Sequence, residues 1–299
     1  MSFTYTLLVV PSNSNNRWLK FLLNNSVKKH GKLPEKLLVD LSMFNFTKPF
    51  HIVSLACLIE EYHLKNVLIK FKRNKSDSDT YLEKIRFFEY WEKGFNRNKY
   101  TQTHLGTALC LWKINREMIY PYVHFAEQYF KNNFFSGKDL QGLNIALAEV
   151  FNNIYDHSKS PVDGYVFTQY FPNIHRIKIA VCDFGIGIPR AVNEYLLSIR
   201  KKEISNEEAL KLAFKKGFST YSAPHNRGFG LDTLKSIVMD LEGEIHFYSN
   251  DGVVKMYPNG DIEINNTGVE FEGTLIEVLL DTRCLPELEL ETTDEEFTF

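Results

Sequence analysis

The sequence predicts an α/β protein with two units: a small N-terminal α/β unit and a larger C-terminal unit of helices and strands. Three observations favour this class. The chain has 299 residues, more than one average domain requires. Its first part alternates between short apolar runs and helical repeats, as an open α/β sheet does. Its last part is rich in β-forming residues that follow predicted helices.

The N-terminal unit, residues 1–100, is predicted to alternate strands with helices. Strands are expected at 3–10, 37–43 and 67–71, and helices at 16–30, 49–62 and 81–91. Branched and aromatic residues favour the strands, whereas apolar residues at helical spacing favour the helices. A junction to the second unit is predicted at 101–120, after a polar stretch.

The C-terminal unit is predicted to span residues 121–283. Helices are expected at 121–132, 139–156, 206–216 and 231–241, and strands at 165–171, 176–182, 244–249, 253–257, 261–265 and 274–280. The turn PNGD at 258–261 favours a hairpin, because Asn and Gly tolerate positive φ. Residues 284–299 are predicted to be an acidic tail, with six acids and no Lys or Arg from Pro286 onward.

Composition and charge limit the classes of function. Lys and Arg number 35 against 37 Asp and Glu, so the formal net charge of −2 gives no reason to expect nucleic-acid or membrane binding. No apolar run reaches the roughly 18 residues of a membrane span, and the start lacks the basic region of a secretory signal. The cysteines have no CxxC spacing and are expected to be reduced: Cys57, Cys110, Cys182 and Cys284. We therefore expect a cytoplasmic protein.

The helix predicted at 139–156 carries a carboxylate and an amide one turn apart. Glu149 and Asn153 are four residues apart and project from one helix face, and His157 follows at the same spacing. The carboxylate could orient or deprotonate water, and the amide oxygen could ligate Mg²⁺. Such pairs are also common on solvated helix faces, so the pair alone does not define a site.

A first glycine-containing segment, DFGIG, follows an apolar strand. It places Asp183 at the strand end, with Gly185 and Gly187 in the turn after it. An aspartate there can accept a hydrogen bond from an exocyclic amine, and the glycines let the backbone pass close to a planar ring. The alternative interpretation is an aspartate that caps a strand-to-helix turn.

A second glycine-containing segment leads into a predicted helix. Its residues are Asn226, Arg227, Gly228, Gly230 and Leu231. Consecutive N–H groups at such a helix start form an anion site, which the helix dipole reinforces. The preceding residues, 217–225, are small and polar, as a flap over phosphates requires. The segment is neither a Walker A sequence nor a Rossmann fingerprint.

The four motifs occur in one order: the helix with ExxxNxxxH, the strand with DxGxG, the GxGL segment, and a last strand that begins with Gly273-Thr274. This order resembles the ATP-binding domain of the GHKL superfamily, which includes DNA gyrase B, gyrase-like chaperones, mismatch-repair ATPases and sensor histidine kinases. The resemblance covers roughly residues 120–282. It implies a Bergerat α/β sandwich, with helices on one face of a mixed sheet, that binds ATP and Mg²⁺.

The resemblance also implies roles for individual residues. Asp183 would receive the adenine amine beside Gly185 and Gly187, and Thr274 would form a hydrogen bond near Asp183. Asn153 would ligate Mg²⁺, and Glu149 would activate water. The phosphates would lie against the second glycine segment: Asn226, Arg227, Gly228, Gly230 and Leu231.

The N-terminal unit has a resemblance of its own. Residues 36–71 resemble a STAS domain, the fold of anti-sigma-factor antagonists, through a strand ending in Asp-Leu-Ser, a helix and a second strand. Regulatory STAS domains carry a phosphorylatable Ser at the start of that helix, but here residues 45–49 offer only Thr47. We therefore expect a structural domain without the phosphorylation switch, although many small α/β units give the same pattern.

Three functions remain open from sequence. The favoured one is an ATP-hydrolysing regulatory switch that acts on a protein partner. The alternatives are a protein serine kinase of the anti-sigma-factor type and an ATP-gated interaction module that does not hydrolyse ATP. Autophosphorylation on histidine is disfavoured, because no histidine has the acidic and basic context of that reaction. Many superfamily members dimerise when ATP closes the flap, so an ATP-dependent homodimer is also implied.

Overall fold

The computed structural model describes residues 3–10, 12–44, 47–97, 99–157, 159–215, 218 and 230–288. Its strands are β1 Thr4–Leu8, β2 Lys36–Asp40, β3 Leu68–Lys72, β4 Trp112–Lys113, β5 Tyr165–Phe171, β6 Arg176–Asp183, β7 Glu244–Met256 and β8 Ile262–Asp281. Its helices are α1 Asn15–Asn25, α2 Pro49–His63, α3 Asp77–Lys84, α4 Arg116–Asn133, α5 Gln141–His157, α6 Ile188–Ser198, α7 Asn206–Ala213 and α8 Gly230–Asp240. The predicted α/β class is confirmed.

The strands form two sheets of different kinds. β1, β2 and β3 make a parallel sheet in that order, with α1 and α2 as its crossovers. The second sheet has the order β4-β5-β6-β8-β7 and is antiparallel at every pairing. The predicted mixed sheet is therefore wrong. β6 and β7 do run in the same direction, but β8 lies between them and pairs with both.

In the N-terminal unit, the helix predicted at 81–91 lies several residues earlier. The Ser76 hydroxyl accepts the N–H of Asp79 at 3.2 Å, which caps the start of α3. Arg86 has a φ of 63°, which ends the helical path. Residues Glu89–Trp91 form a separate 3₁₀ turn.

In the C-terminal unit, α4 and α6 differ most from the prediction. α4 begins at Arg116 because Asn115 caps it, and Pro121 lies inside the helix instead of opening it. α6 occupies a stretch in which no helix was predicted. No helix in the part of the chain that the structure describes has the length and hydropathy needed to cross a membrane.

The last strands are longer than predicted. The strands predicted separately at 244–249 and 253–257 form one continuous strand, β7. Those predicted at 261–265 and 274–280 likewise form one strand, β8. Their pairing is irregular beside Asn250, which has a φ of 52°. The irregularity lets the ladder continue past SNDG, a sequence that otherwise favours a turn.

Helix α2 lies between the two sheets. Every residue from Pro49 to Tyr62 is buried, and a helix that is apolar on nearly all sides requires such a position. α2 shares one hydrophobic core with α1, the parallel sheet and one face of the antiparallel sheet. The other face of the antiparallel sheet forms a second core with α4, α5 and α8.

Alternate side chains of β6 point into the two different cores. Ala180 and Cys182 belong to the core shared with α2, whereas Ile179 and Val181 belong to the core under α5 and α8. Side chains two residues apart on a strand point to the same face. Asp183, two residues after Val181, therefore points to the face that α5 and α8 cover.

A buried ion-pair network joins α2 to the second unit. Glu60 is fully buried, and its Oε2 accepts hydrogen bonds from Arg97 at 2.7 Å and from the Tyr165 hydroxyl at 2.9 Å. Lys113 Nζ lies 3.3 Å from Oε1. Burial acts to raise the pKa of Glu60, but the charges of Arg97 and Lys113 outweigh it and lower that pKa.

Replacing Glu60 by Gln is expected to destabilise the protein. The amide keeps the shape but leaves Arg97 and Lys113 without their buried counter-charge, which costs about 2 kcal/mol of unfolding free energy. The matched control is Glu89→Gln, which removes a partly exposed pair with Arg86 and is expected to cost less than about 1 kcal/mol. Urea unfolding measures both, and equal costs for the two variants would contradict the prediction.

Candidate functional site

Three polar side chains lie side by side at the carboxyl end of β6. Asp183 on β6 pairs with Thr274 on β8, and Thr274 pairs with Ser249 on β7. All three point to the face covered by α5 and α8, and we call them the polar row. The next row inward on that face is apolar: Val181, Ile276 and Phe247. The sheet end thus combines a polar row with an adjoining apolar row.

Asp183 has an open hydrogen-bonding position. The residue is 0% exposed, and its Oδ1 accepts the N–H of Gly185 at 2.7 Å. Its Oδ2 is buried and has no hydrogen-bond partner among the described residues. Burial raises the pKa of Asp183 to about 7, against the opposing effect of the backbone N–H groups of Gly185 and Thr274. Because buried acceptors normally have partners, Oδ2 suits a donor from a ligand.

The raised pKa of Asp183 predicts a pH dependence of stability. The folded state retains a proton that the unfolded state loses near pH 4, so the free energy of unfolding falls as pH rises from about 4 to about 7. Asp183→Asn keeps the acceptor for Gly185 and removes the ionisation. We expect the melting temperature of this variant at pH 8 to exceed that of the wild type by at least about 2 °C.

Circular dichroism melts of nucleotide-free protein between pH 4 and pH 8 measure this effect. At pH 4 the carboxyl of the wild type is protonated in the folded state, so the gain of the variant is expected to disappear. Parallel melting curves across the whole pH range would contradict a raised pKa at Asp183.

The glycine turn after Asp183 is held by residues of β7. The N–H of Ile188 donates to Ser249 Oγ at 2.8 Å, and Asn250 Nδ2 donates to the carbonyl of Ile186 at 3.4 Å. Gly187 has a φ of 80°, and a Cβ there would lie 2.4 Å from Asn250 Oδ1. Both the backbone conformation and the lack of space therefore require glycine at position 187.

A second close approach explains the Gly-Thr pair. Gly273 has a φ of 122°, and a Cβ at this position would lie 2.2 Å from the carbonyl oxygen of Asp183. Glycine lets β8 approach the end of β6, which places Thr274 opposite Asp183. The sequence had suggested that Gly273 and Thr274 begin a strand. In the structure they lie within β8, which begins at Ile262.

Contacts from both units hold the backbone on either side of Asp183. Cys57 on α2 donates its thiol hydrogen to the carbonyl oxygen of Cys182 at 3.1 Å. Phe184 is 6% exposed and packs edge-to-face on Phe271, with 5.7 Å between ring centroids. The N–H of Phe184 donates to Ser160 Oγ at 3.2 Å. Neighbouring residues on both sides of Asp183 are therefore fixed.

Phe184 also lines a shallow groove that contains none of the predicted site residues. The other lining residues are Leu22, Leu23, Ser26, Lys28, Lys29, Glu61, Phe271 and Glu272. An ion pair between Lys28 and Glu272 crosses from the segment after α1 to β8. Glu61 accepts the N–H of Val27 at 3.2 Å. We assign this groove to the packing of α1 on the sheet.

Helix α5 carries the predicted carboxylate over the same sheet face. α5 packs against β6 and α8, and Glu149 is half-buried. Burial raises the pKa of Glu149, which favours its protonated form relative to a solvated glutamate. The backbone of Asn153 and His157 lies in α5, but their side chains lie outside the described part. The pairing of Glu149 with Asn153 therefore stays a prediction.

The structure describes only the last residues of the segment that is predicted to contact the phosphates. Gly230 and Leu231 lie in α8, which the structure describes from Gly230 to Asp240. The predicted flap at 217–225 lies outside the described residues except for Phe218, and Asn226, Arg227 and Gly228 lie outside them entirely. Among the described residues, no three His, Cys, Asp or Glu side chains are grouped to hold a metal ion.

The predicted STAS-like segment ends its strand in a capped turn. Asp40 Oδ1 accepts the N–H of Ser42 at 2.9 Å, and Oδ2 accepts from Lys72 Nζ at 2.9 Å. These bonds to Ser42 and Lys72 lower the pKa of Asp40 to about 2. The Thr47 hydroxyl is buried without a hydrogen-bond partner among the described residues. Asp40 therefore has a structural role at the end of β2.

Several contacts of the site were missed by sequence reasoning. Ser249, Asn250, Ser160 and Cys57 all contact the backbone around Asp183. The only sequence signal was the SNDG stretch within a β-rich segment, where turn-forming residues indicate an irregular strand. Cys57 carried no signal, because a thiol in an apolar helix is typical of ordinary packing.

Neither a search against protein-family models nor a search of curated proteins finds a match to this chain. The fold and the site define an α/β protein with a candidate ligand site at the carboxyl end of β6. Any assignment to a family depends on the motifs and on the contacts described above.

Proposed function

We propose that this chain is a Mg-ATP-binding ATPase of the GHKL type that acts as a nucleotide-driven regulatory switch on a protein partner. The observation that carries the proposal is the polar row beside an apolar row, with the buried Asp183 Oδ2 open to a donor. Adenine has matching chemistry: an amine donor on one edge and flat, weakly polar faces. The amine would bond to Asp183, and a ring face would contact the apolar row.

The order of the elements supports a Bergerat-type arrangement. α5 precedes the β5–β6 hairpin, Asp183 ends β6, α8 begins at Gly230, and the β7–β8 hairpin completes the sheet. The helices α5 and α8 cover the face to which Asp183 points. The antiparallel sheet and the position of Gly273-Thr274 inside β8 depart from the expected arrangement, whereas Glu149 on α5 and Asp183 at the end of β6 are compatible with it.

Mg²⁺ and the hydrolytic step are assigned to α5. Asn153 would ligate Mg²⁺ together with the phosphates, because amide oxygens and phosphates are the hard ligands that this ion prefers. Glu149 would orient and deprotonate the attacking water. Its half-buried position, which raises its pKa, makes it a stronger base than a solvated glutamate. Bound Mg²⁺ would neutralise charge on the phosphates.

Contacts between the two units support a switching role. Cys57 on α2 bonds to the residue before Asp183, and Phe184 after it belongs to the core that includes α1. Nucleotide binding would therefore change the N-terminal unit, and a change in that unit would alter the affinity for nucleotide by the same factor. We assign partner binding to that unit and propose that it has a STAS-like arrangement without the phosphorylation switch, because Thr47 is the only hydroxyl residue at 45–49. A cytoplasmic location and an ATP-dependent homodimer are part of the same proposal.

The fate of the γ-phosphate tests the proposed activity. Purified protein is incubated with Mg-ATP labelled at the γ-position, alone and with candidate partner proteins, and the free phosphate and labelled protein are measured. We expect catalytic release of inorganic phosphate. Transfer of label to a serine of a partner would replace this proposal with the kinase. Tight binding with unchanged ATP would replace it with the non-hydrolysing interaction module.

A further inference from the structure

Ser249 links three segments of the site through one hydroxyl group. Its Oγ accepts the N–H of Ile188 at 2.8 Å and lies 2.9 Å from the carbonyl oxygen of Gly273. It also lies 3.3 Å from the Thr274 hydroxyl oxygen. Ser249 is 1% exposed, so water does not compete for these contacts.

The contacts around Ser249 determine where its single proton goes. The Gly273 carbonyl can only accept, and it is the nearer of the two oxygens that could receive the proton. Ser249 therefore donates to Gly273. Its oxygen then remains an acceptor toward Thr274, so the proton of the Thr274 hydroxyl is directed to Ser249. The lone pairs of Thr274 Oγ1 are left to face other groups.

We propose that Ser249 is a positioning residue that makes Thr274 an acceptor and so sets the preference of the site for a 6-amino purine over a 6-oxo purine. This inference rests on the proposed nucleotide-binding function. Thr274 lies opposite Asp183, whose Oδ2 has no described partner and is a second acceptor when the carboxyl is ionised, above about pH 7. Two acceptors side by side favour an amine, which donates, over a carbonyl, which only accepts.

The test compares ATP with inosine triphosphate, which carries a 6-oxo group and the same triphosphate. Dissociation constants for both nucleotides are measured with Mg²⁺ at pH 8, where Asp183 is mostly ionised, for the wild type, Ser249→Ala and Ser249→Thr. Without the Ser249 acceptor, the Thr274 hydroxyl can turn and donate to the 6-oxo group. We expect the ratio of the two dissociation constants in Ser249→Ala to move toward unity by about fivefold. Ser249→Thr keeps a hydroxyl and is expected to restore the ratio.

The matched control is Ser54→Ala. Ser54 is also fully buried and also bridges two groups, since it donates to the Phe50 carbonyl at 2.6 Å and accepts from Trp18 Nε1 at 2.9 Å. Its removal is expected to lower stability without changing the discrimination between the two nucleotides. A purely structural role of Ser249 would give the same result as this control.

The outcomes separate the inference from the proposed function. If the wild type binds neither nucleotide, the proposed function fails and the inference fails with it. If the wild type binds ATP and Ser249→Ala leaves the ratio unchanged, the inference is overturned while the function stands. Should Ser249→Ala not fold, Ser249→Cys carries the same test, because a thiol is a weak hydrogen-bonding group. An unchanged ratio in that variant likewise overturns the inference.

Discussion

Asp183→Ala is expected to weaken ATP binding by about 100-fold while the protein stays folded. The substitution removes both carboxyl oxygens, including the buried Oδ2 that has no partner among the described residues. The adenine amine would then enter a buried position without an acceptor, which costs more than an exposed hydrogen bond would. Displacement of a fluorescent ATP analogue by unlabelled ATP measures the change in affinity.

The control for this variant is Asp240→Ala. Asp240 is exposed at the end of α8, so its removal is expected to leave the affinity for ATP unchanged. Asp183→Asn adds a finer comparison, because its amide can turn a donor toward the ligand and should favour a 6-oxo purine. Wild-type affinity in folded Asp183→Ala would show that adenine does not lie against this carboxylate.

Glu149→Ala is expected to slow phosphate release by about 10²–10⁴-fold, with little change in the affinity for ATP. The carboxylate would act only on the attacking water, so its loss raises the barrier to hydrolysis without removing a contact to the bound nucleotide. Single-turnover release of phosphate, measured beside equilibrium binding, separates the two quantities.

Glu117→Ala is the matched control for Glu149. Glu117 lies exposed in the first turn of the neighbouring helix α4, and we expect its removal to leave both hydrolysis and binding unchanged. If Glu149→Ala hydrolyses ATP at the wild-type rate, another group activates the water. If it loses ATP binding as well, Glu149 supports the pocket and is not a catalytic base.

Much of the fold was predictable because local signals agreed with the tertiary arrangement. The bounds predicted for β5, 165–171, agree with the structure because β-forming residues are enclosed by turn-forming ones. The predicted helix at 49–62 ends one residue early, and its apolar character on all sides could have indicated burial between two layers. The sequence could not predict that one face of the antiparallel sheet covers this helix, because no local signal specifies which surface covers a buried helix.

The errors in the fold have physical causes. Pro121 was taken as a helix start, but the cap at Asn115 places it in the second turn of α4. The stretch from Asn250 to Gly252 was taken as a break between strands, but its irregular pairing keeps β7 continuous. The mixed sheet was implied by the resemblance alone; in the structure β8 lies between β6 and β7 and pairs antiparallel with both.

The candidate site was predictable in part. Asp183, Gly187 and Thr274 are brought together in the structure, since their motif spacing reflects strand ends and close backbone approaches. The positioning residue Ser249 was not predictable, because its role depends on cross-strand register with Thr274 and not on any sequence motif. The assignments of Asn153 and of the second glycine segment stay predictions that only nucleotide-bound protein can test.

Hydrogen exchange of the wild-type protein with and without Mg-ATP tests most directly whether a nucleotide lies over the polar row. At saturating ATP, slower amide exchange is expected in peptides that cover 183–188, 273–276 and α5, with smaller changes in the N-terminal unit. Protection at those three places would support a nucleotide bound at the carboxyl end of β6. Unchanged exchange there at millimolar ATP, or protection confined to other segments, would contradict the proposed site.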